Sequence, residues 1–505
     1  MAGPAPPDDS SHRLRAEYER APRRFRFRLG ALAFGLYVAL ALIEAAPLVL
    51  LAGLLAFVVL LGGATPLRFA LVCAGLGLAL AALLSFRIRL PGVTGKALAR
   101  EQAPRLWERV DAARRATGAP AIEGLHIDDR LNAMIVGRPR ALGLGGMRCH
   151  LVIGLPMLLC LEPGEFDFVL GHEFGHLRGG GLGSLAWILL LRHAWPPRPR
   201  PQANAARGRA KFARRLLHRP YRSFVARSQV LMQALEFEAD AAAAAWVGGD
   251  VAAMSLVRGE LGSRALEHGF WPAVHARSGS EPEPPLGLFR EMEVFFRNLP
   301  DDDGERLATT LTRQPGASET HPTLARRLAA LGLQAHCTPR SGRSAAALLP
   351  EDRLAALQDA FGRRAAEAMR PAWTRMHESR VRRADSLARL EALRDSRALD
   401  RDEALAYASL VHTLRKDQDA APLYQALLQA EPDHPPLLAR YGELLLERGQ
   451  AAGIDYVERA IAADARLRAG GLQALRAYYR ERGEDAEAER IDRRIEDGRS
   501  ARAPR

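Results

Sequence analysis

The segment His172-Glu173-Phe174-Gly175-His176 sets two imidazoles four residues apart, with a carboxylate beside the first. On a helix, residues i and i+4 share a face, so both rings can reach one metal ion. Glu173 then stands ready as a base for water polarised by that ion. The chemistry indicated is metal-assisted hydrolysis. The bland alternative is two histidines packed or solvated on an ordinary helix, so the flanking residues must decide.

They predict a helix. Glu162-Pro163 opens it, with proline suited to the first turn. Glu162, Glu165 and Asp167 put negative charge at the amino end, where the macrodipole favours it. Phe166, Val169, Leu170, Phe174 and Leu177 recur at helical spacing, and Gly179-Gly180-Gly181 supplies a stop after Arg178. A catalytic zinc needs a third protein ligand and an open position. The alanine-rich run from Ser228 to Val247, ended by Gly248-Gly249, reads as a buried helix and carries Glu236, Glu238 and Asp240. Glu236 and Asp240 share a face, whereas Glu238 is turned about 200° away from Glu236. Glu236 is the expected zinc ligand. Asp240 is expected behind the ligands, holding the free ring nitrogen of a histidine.

With those residues in place the chain resembles the membrane-embedded zinc metallopeptidases of the HtpX and CAAX prenyl protease group. Four segments carry the resemblance in order: Leu131-Asn132-Ala133-Met134-Ile135-Val136-Gly137, the Leu170 to His176 segment, Glu236-Phe237-Glu238-Ala239-Asp240, and Thr320-His321-Pro322 with Arg327. The resemblance implies one zinc ion per chain on His172, His176 and Glu236, with Glu173 as the general base. It implies that Asn132 shapes the site and that Arg327 or His321 stabilises a tetrahedral oxyanion. It also implies an edge strand beside the zinc helix that pairs with substrate, sought at Arg148 to Gly154.

The elements that must position these residues follow from the rest of the chain. Between Leu29 and Ser85 the only charges are Glu44 and Arg68. Leu29 to Gly63 is long enough to cross a bilayer, and Phe69 to Ser85 is a shorter second run. Two spans are expected, with a third only if Glu44 and Pro47 break the first run. Arginines crowd both flanks of this segment, so the positive-inside rule puts both flanks, and the catalytic domain, in the cytoplasm of a multi-pass inner-membrane protein. The first run reads as an anchor, since it is too long for a signal-peptide core. Four scattered cysteines make no C-x-x-C pair and indicate neither a disulfide framework nor a cysteine zinc site.

The net charge of +13 rests on arginine, since Lys96, Lys211 and Lys416 are the only lysines among the 505 residues. That bias, with abundant alanine, fits a GC-rich genome and argues against a nucleic-acid partner. Arg207 to Arg227 reads as a basic, solvated loop between the two metal-binding helices, with contact to anionic headgroups as the alternative. Leu182 to Leu191 is too short to span and is expected on the membrane face or in the core.

Beyond residue 350 the chain is helical in composition, with a period near 34: Glu447-Arg448-Gly449 recurs as Glu481-Arg482-Gly483, and Ala426 answers to Ala460. Tyr441-Gly442 and Leu445 sit where a tetratricopeptide repeat places its packing residues, so this region resembles degenerate units of that repeat. A plain helical cap is the alternative. The expected organisation is a basic tail (1–28), a transmembrane segment (29–87), a zincin-type α+β metallopeptidase domain with a small sheet (88–335), a linker (336–349) and tetratricopeptide-like helices (350–505), in a mainly α chain. The expected function is hydrolysis of peptide bonds in membrane or membrane-adjacent proteins, in protein quality control. The expected partners are a protein or peptide substrate, the lipid bilayer, and a protein bound through the C-terminal repeats. The competing reading is a non-catalytic membrane scaffold with a structural zinc, against which the intact Glu173 argues.

Overall fold

The computed structural model describes residues 9–61, 92–139, 147–177, 207–300, 304–312 and 322–500, apart from 337, 341, 416, 417 and 483, together with isolated positions between 66 and 192. The chain divides into two compact units. The first is Met1–Val274 with Pro285–Ala368, and the second is His275–Pro284 with Met369–Arg505.

The first unit is built around a four-stranded sheet of order β1-β2-β4-β3, formed by Lys96–Ala97 (β1), Gly124–Asp128 (β2), Ala133–Pro139 (β3) and Met147–Gly154 (β4). β2 and β4 run parallel, with Gly124 opposite His150, whereas β3 and β4 run antiparallel, with Ala133 opposite Ile153. The strand Arg148 to Gly154 is therefore internal, and the edge strands are β1 and β3. The reason is connectivity. β3 and β4 pair across residues 140–146, which leaves β2 to cover the other side of β4.

Among the described residues the α-helices of this unit before residue 351 are Asp9–Arg20 (α1), Pro22–Leu61 (α2), Pro104–Thr117 (α3), Leu155–Cys160 (α4), Pro163–Gly175 (α5), Arg207–Val247 (α6), Gly249–Ala265 (α7), Trp271–Ala276 (α8, which straddles the division), Leu288–Arg297 (α9), Gly304–Leu311 (α10) and Leu324–Leu331 (α11). α5 is the central one. Phe166, Phe168, Leu170 and Phe174 are all buried, so it is apolar nearly all round, as a core helix must be. It begins as expected, with the Glu165 carboxylate accepting from the Glu162 backbone N–H at 2.9 Å. It ends at Gly175, before the expected triple glycine, and His176 is its C-cap.

The basic stretch 207–227 is not a loop. It is the first half of the 41-residue α6. Arginine is a good helix former, and Leu217, Phe224 and Leu231 recur at helical spacing and are buried, which overrides the charge and Pro220. The partner of that apolar face is α2. Phe25, Leu29, Ala33 and Leu36 pack with Phe224, Val230 and Leu231, and Ile188 and Leu191 join the same cluster.

α2 runs 40 residues without a break at Glu44 or Pro47, so the device expected to split the first apolar run does not act. Among the described residues no helix is long and apolar enough to cross a membrane. The first expected span falls within α2, many of whose side chains between 40 and 61 are not described, and the second, Phe69 to Ser85, lies almost wholly outside the described residues.

Residues 336–349 do not form a free linker. The Ala345 backbone N–H donates to the Leu161 carbonyl at 2.7 Å, and the Gly342 N–H donates to Glu162 Oε1 at 3.1 Å. Ala345, Ala346 and Leu348 are buried in a 3₁₀ turn. Apolar side chains inside a stretch whose Gly, Ser and Arg suggested a linker explain the difference. The helix that follows, Glu351–Ser396 (α12), contributes residues to both units.

In the second unit, helices follow one another through short turns: Arg401–Leu414 (α13), Ala421–Ala430 (α14), Pro435–Glu447 (α15), Ala452–Ala463 (α16), Arg468–Glu481 (α17) and Asp485–Ser500 (α18). The repeated Glu-Arg-Gly triplets begin at the last residues of α15 and α17. Gly449 adopts φ of 72°, a left-handed position that ends a helix at no steric cost. α15 and α16 cross at two glycines, where a Cβ on Gly453 would lie 2.6 Å from the Gly442 carbonyl oxygen. Tyr441, Leu445 and Ala460 are buried as expected. Ala426 is exposed, so it is not the counterpart of Ala460; α14 buries Ala421 and Tyr424 instead.

Candidate active site

Two helices carry the chemistry, and small residues decide how closely they approach. A Cβ on Gly171 would sit 3.1 Å from the Ala243 Cα, and one on Gly175 would sit 2.9 Å from the Ala239 Cα. The zinc-helix candidate α5 therefore crosses α6 with backbone almost against backbone. Gly171 and Gly175 each immediately precede one of the two histidines, and Ala239 and Ala243 continue the turns above Glu236. The close crossing sets the two imidazoles over the carboxylate.

The resulting geometry suits the binding of a metal ion. His172 Nε2 lies 3.1 Å from His176 Nε2 and 3.7 Å from Glu236 Oε2, and His176 Nε2 lies 3.6 Å from Glu236 Oε1. In a tetrahedral site with bonds near 2.1 Å, ligand atoms stand about 3.4 Å apart. These three side chains form a group able to hold a metal ion. Two imidazoles and a carboxylate form the donor set of a catalytic zinc site with one position left open. Burial supports this: His172 and Glu236 are almost inaccessible, and acids and imidazoles are seldom brought together there without a shared partner.

Asp240 is fully buried behind them. Its Oδ1 lies 2.8 Å from His172 Nδ1. A proton on Nδ1 satisfies that contact and leaves the Nε2 lone pair facing the ligand cluster. Arg327 donates Nε to Asp240 Oδ2 at 2.8 Å and Nη2 to Oδ1 at 2.6 Å. Burial opposes ionisation of Asp240, but the hydrogen bonds from Arg327 and His172 outweigh it and hold the carboxyl well below the usual carboxylate range. Arg327 thus grips Asp240, and it also lines the cavity onto which His172 and Glu173 open. His321, the other oxyanion candidate, lies outside the described residues.

Glu238 points away, as its angle on the helix requires. Arg26 Nη2 donates to both of its oxygens, at 2.6 and 2.8 Å, and the Tyr18 hydroxyl donates to Oε1 at 2.8 Å. Glu173 and His172 line a cavity of about 250 Å³ with Leu131, Asn132, Met157 and Gly259. Asn132 is exposed at its mouth, just ahead of β3, and its carbonyl accepts from the Gly154 N–H at 2.7 Å. The start of β3 at Ala133, Glu173 and His172 therefore open onto one space.

Sequence reasoning missed the anchor of this assembly. Glu165 and Arg258 form a buried ion pair at 2.8 Å that ties the first turn of α5 to α7, and Ser255 Oγ donates to the Glu165 carbonyl at 2.9 Å. Arg258 Nη2 also donates to the Thr338 carbonyl at 2.9 Å. The signal available in sequence was an arginine inside an apolar helix, which calls for a partner. Nothing there named Glu165.

Residues 101–334 match the model of peptidase family M48, a family of zinc metallopeptidases. The match covers three of the four strands, both site helices and Arg327, and it supports that family and a metallopeptidase hydrolase acting on protein or peptide. No curated protein and no solved structure matches the chain.

Proposed function

We propose that this chain is a membrane-anchored, zinc-dependent endopeptidase of the HtpX and CAAX prenyl protease kind, cutting proteins in or beside the membrane as part of quality control. The observation that carries the reading is the cluster of three candidate ligand atoms, one of whose residues, His172, lines a cavity together with Glu173. When bound, zinc would polarise a peptide carbonyl and make water acidic enough to ionise near neutral pH. Glu173 receives the proton from that water on its carboxylate and returns it to the departing amine. The backbone edge of β3 offers N–H and C=O groups to an extended substrate. The apolar lining from Leu131, Met157 and Phe168 accepts an apolar side chain next to the cut bond.

The anchor is supported by the two faces of α2. Phe25, Leu29, Ala33 and Leu36 are buried against α6, while Phe27, Phe34, Val38 and Leu42, on the opposite side, are 36–74% exposed. An apolar stripe of that size facing outward needs a cover, and a bilayer supplies one. The catalytic unit lies on the cytoplasmic side in this reading, by the arginine flanks of the apolar segment. The helices of the second unit serve as a partner-binding array of tetratricopeptide type.

The decisive experiment compares wild type with Glu173→Gln, purified in detergent and loaded with zinc. The variant keeps its zinc and loses turnover of an unfolded protein substrate by roughly 10²–10⁴-fold, the range for removal of a general base. Equal activity in the two proteins would refute the proposal.

A further inference from the structure

The turn joining α1 to α2 carries charge that the proteolytic site does not use. Arg13, Arg20, Arg24 and Arg28 line an open cavity of about 320 Å³ with Phe25 at one side, and Glu17 is the only acid among its described lining residues. Glu17 stands 3.7 Å from Arg28, at the limit of an ion pair. Among the described residues Arg20 and Arg24 have no carboxylate partner, and these two form a site for an anion. Arginine forks suit phosphate oxygens in particular.

What the anion belongs to follows from the next residues. Phe27 is 74% exposed, and the outward stripe of Phe34, Val38 and Leu42 continues from it. Arginines at the head of an exposed apolar stripe sit where phospholipid headgroups lie when the stripe is covered by acyl chains. A soluble phosphate would explain the arginines but not the apolar surface running on from them.

The same turn grips the site. Tyr18 and Arg26 hold Glu238, and Arg15 Nη2 donates to Gln233 Oε1 at 2.9 Å. Gln233 and Glu238 bracket Glu236 on α6. Side chains from both helices of the turn thus hold the segment of α6 that carries the third ligand.

We propose that this arginine cradle binds the phosphate of an anionic phospholipid, and that its occupancy promotes catalysis by steadying the turn that clamps α6 around Glu236. The proposal rests on the reading of α2 as a membrane anchor. The lipid crosses no covalent step. Its contribution is to neutralise mutually repelling arginines, which favours the clamped arrangement over an open one.

The test uses the full-length zinc-loaded protein and the double variant Arg20→Gln/Arg24→Gln. A carbonate wash of membranes comes first, and both proteins stay in the pellet. Release of the wild type would overturn the anchor, and the proposal with it. Both are then placed in nanodiscs of phosphatidylcholine, with or without phosphatidylglycerol. Phosphatidylglycerol retained after detergent extraction is counted by mass spectrometry, and cleavage of an unfolded substrate is timed. The double variant is expected to retain phosphatidylglycerol roughly 25-fold more weakly, at about fivefold per arginine beside an anionic surface. Wild type is expected to cleave faster with phosphatidylglycerol than without it, and the variant to show one rate in both discs, matching wild type in phosphatidylcholine alone. Equal lipid retention by the two proteins overturns the cradle while leaving the anchor standing. Weaker retention with unchanged stimulation overturns the link to α6. Inorganic phosphate at millimolar concentration leaves the phosphatidylcholine rate unchanged; a full restoration of rate by phosphate would overturn the assignment to lipid.

Discussion

Asp240 shows how much of a metal centre lies outside its ligands. Its carboxylate is buried between His172 and Arg327 and touches both. A depressed folded pKa means that its contribution to stability is fully present above the unfolded carboxylate pKa of about 3.9, and is lost as pH falls through the lower folded value. The pair therefore keeps its strength across the neutral range and weakens only in strong acid. Asp240→Asn removes the charge while nearly preserving shape. Zinc competition against a chelator should show affinity reduced by about 10–100-fold, the usual effect of losing a residue that orients a ligand histidine. Melting of the metal-free variant should show lower stability at pH 7 and a flatter acid limb than wild type, because buried Arg327 loses its counter-charge. Unchanged zinc affinity would mean that His172 is oriented by something else. At this scale the sequence was informative about what repeats along one helix. The spacing of His172, His176, Glu236 and Asp240 could be read directly, and the angle between Glu236 and Glu238 separated the ligand from the residue that Arg26 and Tyr18 hold. The partnership of Arg327 with Asp240 joins residues far apart in the chain, and no periodicity encodes it.

Among the elements, the crossing of α5 and α6 is the main constraint, and glycine makes it possible. Two changes of glycine to alanine should have opposite signs. In Gly175→Ala the new methyl lies 2.9 Å from the Ala239 Cα and 3.2 Å from its carbonyl oxygen, so the backbone must give way. The helices move apart, Glu236 retreats from the imidazoles, and both melting temperature and zinc affinity fall; overpacking of this kind costs about 1–3 kcal/mol. In Gly259→Ala, within α7, the new methyl meets nothing within 4 Å. Melting temperature rises there, since alanine in a helix interior is worth about 1 kcal/mol over glycine. Calorimetry of the two variants decides the matter, and equal shifts would show that the crossing is not tight. The sequence displayed these glycines inside the metal motif without revealing what they approach. Strand order was hidden for a similar reason. Alternation marks a strand and its faces but does not rank it in a sheet, so the edge fell to β3 and not to β4. Charge misled as well: a row of arginines looked like a solvated loop, yet Leu217 and Phe224 already carried the helical period that buries α6 against α2.

At the scale of the molecule, each compact unit has apolar clusters of its own. Phe168, Ala243, Ala253 and Val257 lie together in the first, and Tyr407, Tyr424, Tyr441 and Leu445 in the second. Every ligand candidate belongs to the first unit, and the cluster of Phe168, Ala243 and Leu328 joins α5, α6, α7 and α11 around the site. The mainly helical character and the small sheet were legible from composition and pattern. The docking of residues 336–349 was not, because Gly, Ser and Arg describe a linker and a packed turn equally well until the backbone partners at Leu161 and Glu162 are known. This division predicts how the protein responds to losing its metal. A bound ion stabilises only the structure that forms its site, by about 4 kcal/mol when free metal exceeds the dissociation constant a thousandfold. Calorimetry of the full-length protein in detergent should resolve two transitions. A chelator should lower the one belonging to the first unit and leave the other in place, and added zinc should restore it. Leu445→Ala identifies the second transition, because removing a buried leucine from that core costs about 2–5 kcal/mol and should lower that peak alone. If the chelator moved both peaks together, the units would share one folding equilibrium, and the zinc site would be holding more of the chain than the helices that meet around it.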